Sequence, residues 1–211
     1  MRLSAGEADL IETMAFDPAK GIALIEFHLE RLKQSAQSLG FAFDRHAARN
    51  AIQALCFDLE APAKVRLLLA RSGAIALETA AMPATCAGPM VCAVLPLPVA
   101  PDDWRLRHKT SDRGFYEAAL RAARGAGADE ALLIRDDGLV TEGSFTNLFV
   151  RQPDGRLRTP HSASGLLPGV LRRSLIEADK AVEGDVHLAD LAEGFLIGNA
   201  LRGLMPARLL A

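Results

Sequence analysis

The sequence predicts an α+β fold in two domains, and three observations carry that expectation. Apolar residues alternate in some segments and recur at helical spacing in others. The two kinds of segment are mixed along the chain without the regular alternation of a doubly wound sheet. Pro96, Pro98 and Pro101 put three prolines within six residues, a rigid, extended stretch with the character of a linker. The boundary is placed there, between a small α+β domain of residues 1–97 and a larger α+β domain of residues 98–211.

Residues 10–16 alternate loosely and read as a strand, and residues 22–25 form a second apolar run after the turn signal 17–21. From 26 to 39 the pattern turns helical, with Leu29, Leu32, Ala36 and Leu39 on one stripe and Gly40 as the stop. Asp44 has the position of an N-cap for a second helix that carries Ile52 and Leu55 inward. Residues 64–70 and 74–79, separated by Arg71, Ser72 and Gly73, resemble a hairpin, and 91–95 adds a strand. Beyond the prolines the sequence predicts a helix over 111–124, strands at 130–135 and 147–151, a helix opening at Pro168, and strands near Val186 and Phe195.

With 211 residues, half of them hydrophobic, the chain can bury a sizeable core. A net charge of −2 provides no basic field for nucleic acid or an anionic membrane. The apolar run 90–101 is broken by its prolines, so no segment reaches the length of a spanning helix, and residues 1–9 contain no signal-like run. A soluble, cytoplasmic protein is expected. Cys56, Cys86 and Cys92 form no Cys-x-x-Cys, and their odd number favours buried thiols over a disulfide framework. His28, His46, His161 and His187 show no metal-ligand spacing, so no metal site is expected.

Three segments have the residue types of a chemical site. Lys109 is one of only five lysines among 24 basic residues, and Arg105, Arg107, His108 and Arg113 lie within four residues of it. A lysine crowded by cations and partly desolvated loses basicity and becomes a nucleophile, although a solvated basic loop would look the same. Glu142, Gly143, Ser144, Thr146 and Asn147 make a hydrogen-bonding stretch suited to a ligand loop or to an ordinary turn between strands. Pro168 and Gly169 open a helix whose first N–H groups, at Val170 and Leu171, suit a phosphate. Gly125-Ala-Gly127 lacks the third glycine of a dinucleotide fingerprint and follows a helix instead of a strand.

The order Glu142-x-Ser144-x-x-Asn147-Leu148-Phe149, then Leu157-x-Thr159, then Leu167-x-Gly169-Val170-x-Arg172 is similar to the signature of the class IV aminotransferases. These are the pyridoxal-phosphate enzymes of fold type IV, among them branched-chain and D-amino-acid aminotransferases and aminodeoxychorismate lyase. Glu12-Thr13-Met14, His28 to Leu32, Lys109 and Gly198-Asn199-Ala200 stand in the family's order too. The resemblance implies a two-domain, D-amino-acid aminotransferase-like fold that lacks the family's usual N-terminal hairpin, with pyridoxal 5′-phosphate as cofactor and a homodimer as assembly. It implies that Lys109 is the Schiff-base lysine and that Glu142 faces the pyridine nitrogen. It assigns the phosphate to Arg31, to the N–H groups of Val170 and Leu171 beside Gly169, and to the Asn199-Ala200 turn, with Asn147 a further cofactor residue. His108 and Tyr116 become neighbours of the reacting group.

The segment from Thr110 to Tyr116 is closer to the aminodeoxychorismate lyase-like branch than to the Gly-Gly-Asn-Tyr type of branched-chain enzymes. Such a substrate carries two carboxylates, for which Arg107 and Arg202 are the candidate partners. The expected reaction converts 4-amino-4-deoxychorismate to 4-aminobenzoate and pyruvate, a step of folate biosynthesis. A transaminase of branched-chain or D-amino acids with a 2-oxo acid is the alternative, and a noncatalytic pyridoxal-phosphate-binding protein is a third reading.

Overall fold

The computed structural model describes residues 8–84 and 87–211. Cys86, and the first seven residues of the stretch read for a signal, lie outside them. The chain divides into two compact units, one of residues 8–84 with His108–Asp112, the other of residues 87–107 with Arg113–Ala211.

The first unit is a four-stranded antiparallel sheet in the order β2-β1-β3-β4, built from β1 (Leu10–Asp17), β2 (Gly21–Ile22), β3 (Ala63–Leu69) and β4 (Ile75–Ala81). The inward residues of β3, Val65, Leu67 and Leu69, are fully buried, as period-two alternation demands. Helix α1 (Ile25–Leu39) lays Leu29, Leu32 and Ala36 into the same core. It ends at Gly40, whose left-handed backbone (φ 71°) lets its N–H reach the Ala36 carbonyl. Asp44 caps α2 (Arg45–Phe57), accepting from the N–H groups of His46 and Ala47 at 2.8 and 3.0 Å.

The second unit comprises β5 (Met90–Pro96), α3 (Trp104–Arg107), α4 (Gly114–Gly125), β6 (Glu130–Ile134), β7 (Val140–Gly143), β8 (Asn147–Arg151), β9 (Leu157–Thr159), α5 (Val170–Glu177), β10 (Ala181–Glu183), β11 (Phe195–Asn199) and β12 (Gly203–Leu209). The strands run β10-β9-β8-β11-β12-β5-β6-β7, and β7 pairs again with β8, so six of them close into a ring. Closure places Glu142 opposite Asn147. Leu132, Val140, Leu148 and Ile197 fill one buried cluster, and α4 seals Ala131 and Leu133 on the other side of β6.

The mixed class and nearly all expected elements are present, but the division of the chain differs from the one placed at residues 97 and 98. β5 pairs in parallel with β6 and β12 and so belongs to the second unit. Residues 108–112 belong to the first unit, because Thr110 bridges Leu10 and the Ser111 N–H donates to the Asp9 carbonyl at 2.8 Å. The expected location of Lys109 in the larger domain is corrected accordingly. Four strands were not anticipated as such: β7, β9, β10 and β12. Val186 lies in no strand; the neighbouring His187 makes an isolated bridge to Leu139. Cys92 is buried, whereas Cys56 is only half-buried. No helix among the described residues is long and apolar enough to cross a membrane.

Candidate active site

In the first unit, the backbone of Lys109 is fixed by β1, its carbonyl accepting from the Ile11 N–H at 2.9 Å, and the residue is half-buried. The next residue along β1 is Glu12, 2% exposed. Its carboxylate accepts from Arg31 Nε (2.8 Å) and Nη2 (2.6 Å), and Oε2 lies 2.6 Å from His28 Nδ1. Arg31 therefore sits buried against β1. The other ring nitrogen of His28, Nε2, is buried with no hydrogen-bond partner among the described residues. His108, expected beside the reacting group, turns its ring to α1: Nδ1 lies 3.0 Å from Ser35 Oγ and Nε2 3.5 Å from Ser38 Oγ.

Burial alone raises the pKa of Glu12, but the charges of Arg31 and His28 and their hydrogen bonds more than offset it, taking the carboxyl down from 4.5 to about 2. A depressed carboxyl stabilises the fold above its unfolded value and loses that contribution as pH falls through its folded one. Glu12 should thus contribute about 3 kcal/mol above pH 4.5, lost progressively between pH 4.5 and 2. Urea unfolding of Glu12→Gln against the parent chain should show a gap that narrows across that window; a gap independent of pH would contradict the pairing.

In the second unit, Glu142 is 3% exposed on β7, and one of its oxygens accepts the hydroxyl of Tyr116 at 2.5 Å. Tyr116 is itself 3% exposed within the α4 core, which corrects its expected place as a substrate contact. Asn147 donates from Nδ2 to the Leu167 carbonyl at 2.9 Å and so holds the segment that enters α5. A Cβ on Gly169 would fall 1.9 Å from Asn147 Oδ1, so only glycine fits at this N-cap. Asn199 accepts from the N–H groups of Leu201 and Arg202 at 3.0 and 2.9 Å, and its Nδ2 donates to the Phe145 carbonyl at 3.0 Å. A Cβ on Gly198 would meet the Leu171 side chain at 3.0 Å, so the absence of one brings the 199–202 turn up to the start of α5. Glu142, Asn147, Gly169, Val170, Leu171, Asn199 and Ala200 are thereby tied into one neighbourhood, with Arg202 half-buried on its turn.

The cations expected around Lys109 have partners within their own unit. Arg105 is buried in an ion pair with Asp103 at 2.7 Å, and Arg113 donates to the Ser144 carbonyl at 2.9 Å. Arg107, a candidate partner of a substrate carboxylate, is exposed and donates to the Asp102 carbonyl at 2.8 Å.

Sequence reasoning missed Glu130. This carboxylate is fully buried and accepts from the N–H groups of Ala131 and Ser144 (both 2.9 Å), the Thr146 hydroxyl (3.0 Å) and the Ser144 hydroxyl. Burial pushes its pKa up, opposed by those hydrogen bonds. The turn between Glu142 and Asn147 is built around it. The available signal was a lone carboxylate heading the apolar run 131–134. Glu130→Gln should cost on the order of 1–3 kcal/mol in unfolding free energy, because an amide turns a donor towards donors. An unchanged urea midpoint would remove Glu130 from this role.

These features agree with the known proteins the chain resembles. The amino-transferase class IV model matches residues 9–210, and the chain belongs to that family. A Schizosaccharomyces pombe protein provisionally named aminodeoxychorismate lyase is 27% identical over 190 residues, covering 86% of this chain and 79% of the relative. The crystal structure of a Mesorhizobium loti protein, provisionally named an amino-acid aminotransferase, superposes with a TM-score of 0.89 at 34% identity, over 96% of this chain and 100% of that one. The fold is also shared with a hypothetical Mycobacterium tuberculosis aminotransferase in its pyridoxal-phosphate-bound form, with a TM-score of 0.81 at 21% identity, over 95% of this chain and 81% of that one. The protein is a fold type IV, pyridoxal-phosphate-dependent enzyme whose substrates are small-molecule amines or keto acids.

The residues present fit that cofactor. α5 starts with no side chain capping its first N–H groups, which leaves the helix dipole and the donors of its first turn to a phosphate. A second feature is the buried carboxylate of Glu142, the group a protonated pyridine nitrogen requires. Among the described residues no group of His, Cys, Asp and Glu side chains is arranged to hold a metal.

Proposed function

We propose that the enzyme is a lyase that splits 4-amino-4-deoxychorismate into 4-aminobenzoate and pyruvate. The observation that carries this reading is Arg202, half-buried on a turn whose N–H groups are held by Asn199 and which adjoins the start of α5. A cation there suits a substrate with a second carboxylate. The relative named as a lyase, which covers most of the chain, supports the same reading.

Bound pyridoxal phosphate supplies an electron sink for the pair left when a proton leaves the substrate carbon. The chain's residues do the rest. Lys109 would hold the cofactor through its amine, and the same amine would be the base that takes the proton from the amine-bearing carbon of the substrate. The carbon–oxygen bond to the enolpyruvyl group then breaks, the ring becomes aromatic, and a proton on the departing unit makes it pyruvate. Glu142 keeps the pyridine nitrogen protonated. Arg31 and the N–H groups of Val170 and Leu171 would bind phosphate oxygens, joined by the Asn199-Ala200 turn. A buried dianion needs that many partners. The assembly is a homodimer.

A second reading, transamination of a small amino acid with a 2-oxo acid, is favoured by the name and the 34% identity of the Mesorhizobium loti protein. Offering the purified enzyme aminodeoxychorismate alone, or amino acids with 2-oxoglutarate, separates the two. Release of pyruvate without any added keto acid is the result expected. Arg202→Ala should leave cofactor absorbance unchanged and lower kcat/KM for aminodeoxychorismate by about tenfold to a hundredfold, mainly through KM. Kinetics indifferent to that substitution would give transamination the lead.

A further inference from the structure

The phenol of Tyr116 has its hydroxyl on the carboxylate of Glu142 and its ring under a guanidinium, and no part of it is open to a substrate. The hydroxyl donates to Glu142 Oε1 at 2.5 Å, and both side chains are 3% exposed. Arg113 lies with its guanidinium 4.5 Å from the centre of the ring and donates to the Ser144 carbonyl at 2.9 Å. Arg113 is the N-cap residue of α4, and Ser144 lies two residues beyond Glu142. The start of the helix bearing Tyr116 is therefore anchored to the turn that follows Glu142.

We propose that Tyr116, held by Arg113, is a positioning residue that fixes the carboxylate of Glu142 and keeps it a weak, anionic base, so that the proton it shares with the pyridine nitrogen stays on the nitrogen. A carboxylate taken out of water is costly unless hydrogen-bonded, and a neutral donor on one oxygen favours the anion without cancelling its charge. A cation in that place would cancel the charge the ring nitrogen needs. Tyr116 remains such a neutral donor because burial, then the charge and hydrogen bond of Glu142, push its phenol well above its usual value near 10, with Asp103 adding to the shift and Arg113 opposing it. The proposal rests on the reading that Glu142 faces the pyridine nitrogen.

Tyr116 is the chain's only tyrosine, so its ionisation can be followed by ultraviolet absorbance without substitution. In the cofactor-free protein the phenol should ionise above the ordinary tyrosine range, at pH values where circular dichroism shows the fold intact, and Glu142→Gln should bring it down. A phenol that titrates normally in the parent chain, or alike in both, overturns the proposal. In the cofactor-loaded protein Tyr116→Phe, which keeps the ring, should displace the pH profile of the cofactor's visible absorbance and lower kcat about tenfold with KM within twofold. A variant with the parent absorbance profile overturns it, since a merely structural tyrosine would leave that profile alone. A protein that shows the phenol shift yet takes up no cofactor colour would overturn the cofactor reading, and the role of Tyr116 with it, while leaving the hydrogen bond itself standing.

Discussion

Lys109→Ala should lose turnover by a factor on the order of 10³ or more while folding normally. On the proposed mechanism one amine both holds the cofactor and moves the substrate proton. General base catalysis alone is worth about 10²–10⁴, and the covalent attachment adds to it. The fold should survive because the segment is fixed through its backbone: the Lys109 carbonyl accepts from Ile11, and Thr110, 2% exposed, bridges Leu10. Truncation at Cβ touches neither contact. Borohydride reduction of the loaded parent enzyme followed by peptide mapping should place the cofactor on Lys109. Of the other lysines Lys64 is half-buried and Lys20, Lys33 and Lys180 are exposed, so label on any of them would be readily found and would overturn the assignment. So would a Lys109→Ala enzyme retaining a tenth of parent turnover.

What could be read from the sequence follows from how local each feature is. The α1 stripe, the Asp44 cap and the β3–β4 hairpin are each set by residues a few positions apart, and each appears where expected. Strand β12 escaped because Pro206 interrupts its pattern, and proline normally marks a strand's end or an edge. Strand β7 escaped because its buried residues include Thr141 and Glu142, and buried polar residues in a short run read as a loop. The domain boundary went wrong for a different reason. The prolines that follow β5 do make a stiff segment, but the partners of β5 are β6 and β12, and parallel pairing leaves no mark near the strand itself.

The same distinction sorts the site. Glu142, Asn147 and Gly169 stand at fixed spacings in a signature and could be picked out. The reasons for those residues could not: the 1.9 Å approach of Asn147 to a Cβ on Gly169, the Arg31 pairing across to Glu12, and the Ser144 and Thr146 donors around Glu130 all join residues 14 or more positions apart. Residue type and crowding did not reveal the contacts of Arg107 and Tyr116. A run of cations near a lysine says nothing of the Asp102 carbonyl that takes one of them, and a lone tyrosine does not reveal that its hydroxyl is committed to a carboxylate.

Glu142→Gln should retain the cofactor and lose turnover by a factor on the order of 10²–10³. Glutamine matches glutamate in shape, and its carbonyl oxygen can still accept the Tyr116 hydroxyl, so the packing around this 3% exposed side chain need not change. What is lost is charge. A neutral amide cannot hold a proton on the pyridine nitrogen, and a preorganised charge aimed at the reacting system is commonly worth that factor in a water-excluded site. Cofactor binding should persist because the phosphate partners proposed here, Arg31 and the first N–H groups of α5, are untouched. Arg31→Ala should show the reverse, with weakened cofactor affinity that excess pyridoxal phosphate partly restores. The measurement is kcat at saturating cofactor, together with the dissociation constant for pyridoxal phosphate, in both variants. If Glu142→Gln kept full turnover, or if it shed cofactor as readily as Arg31→Ala, the carboxylate would not be acting on the ring nitrogen. The role assigned to Tyr116 would then fail with it, since a hydroxyl that orients Glu142 matters only as far as that charge does.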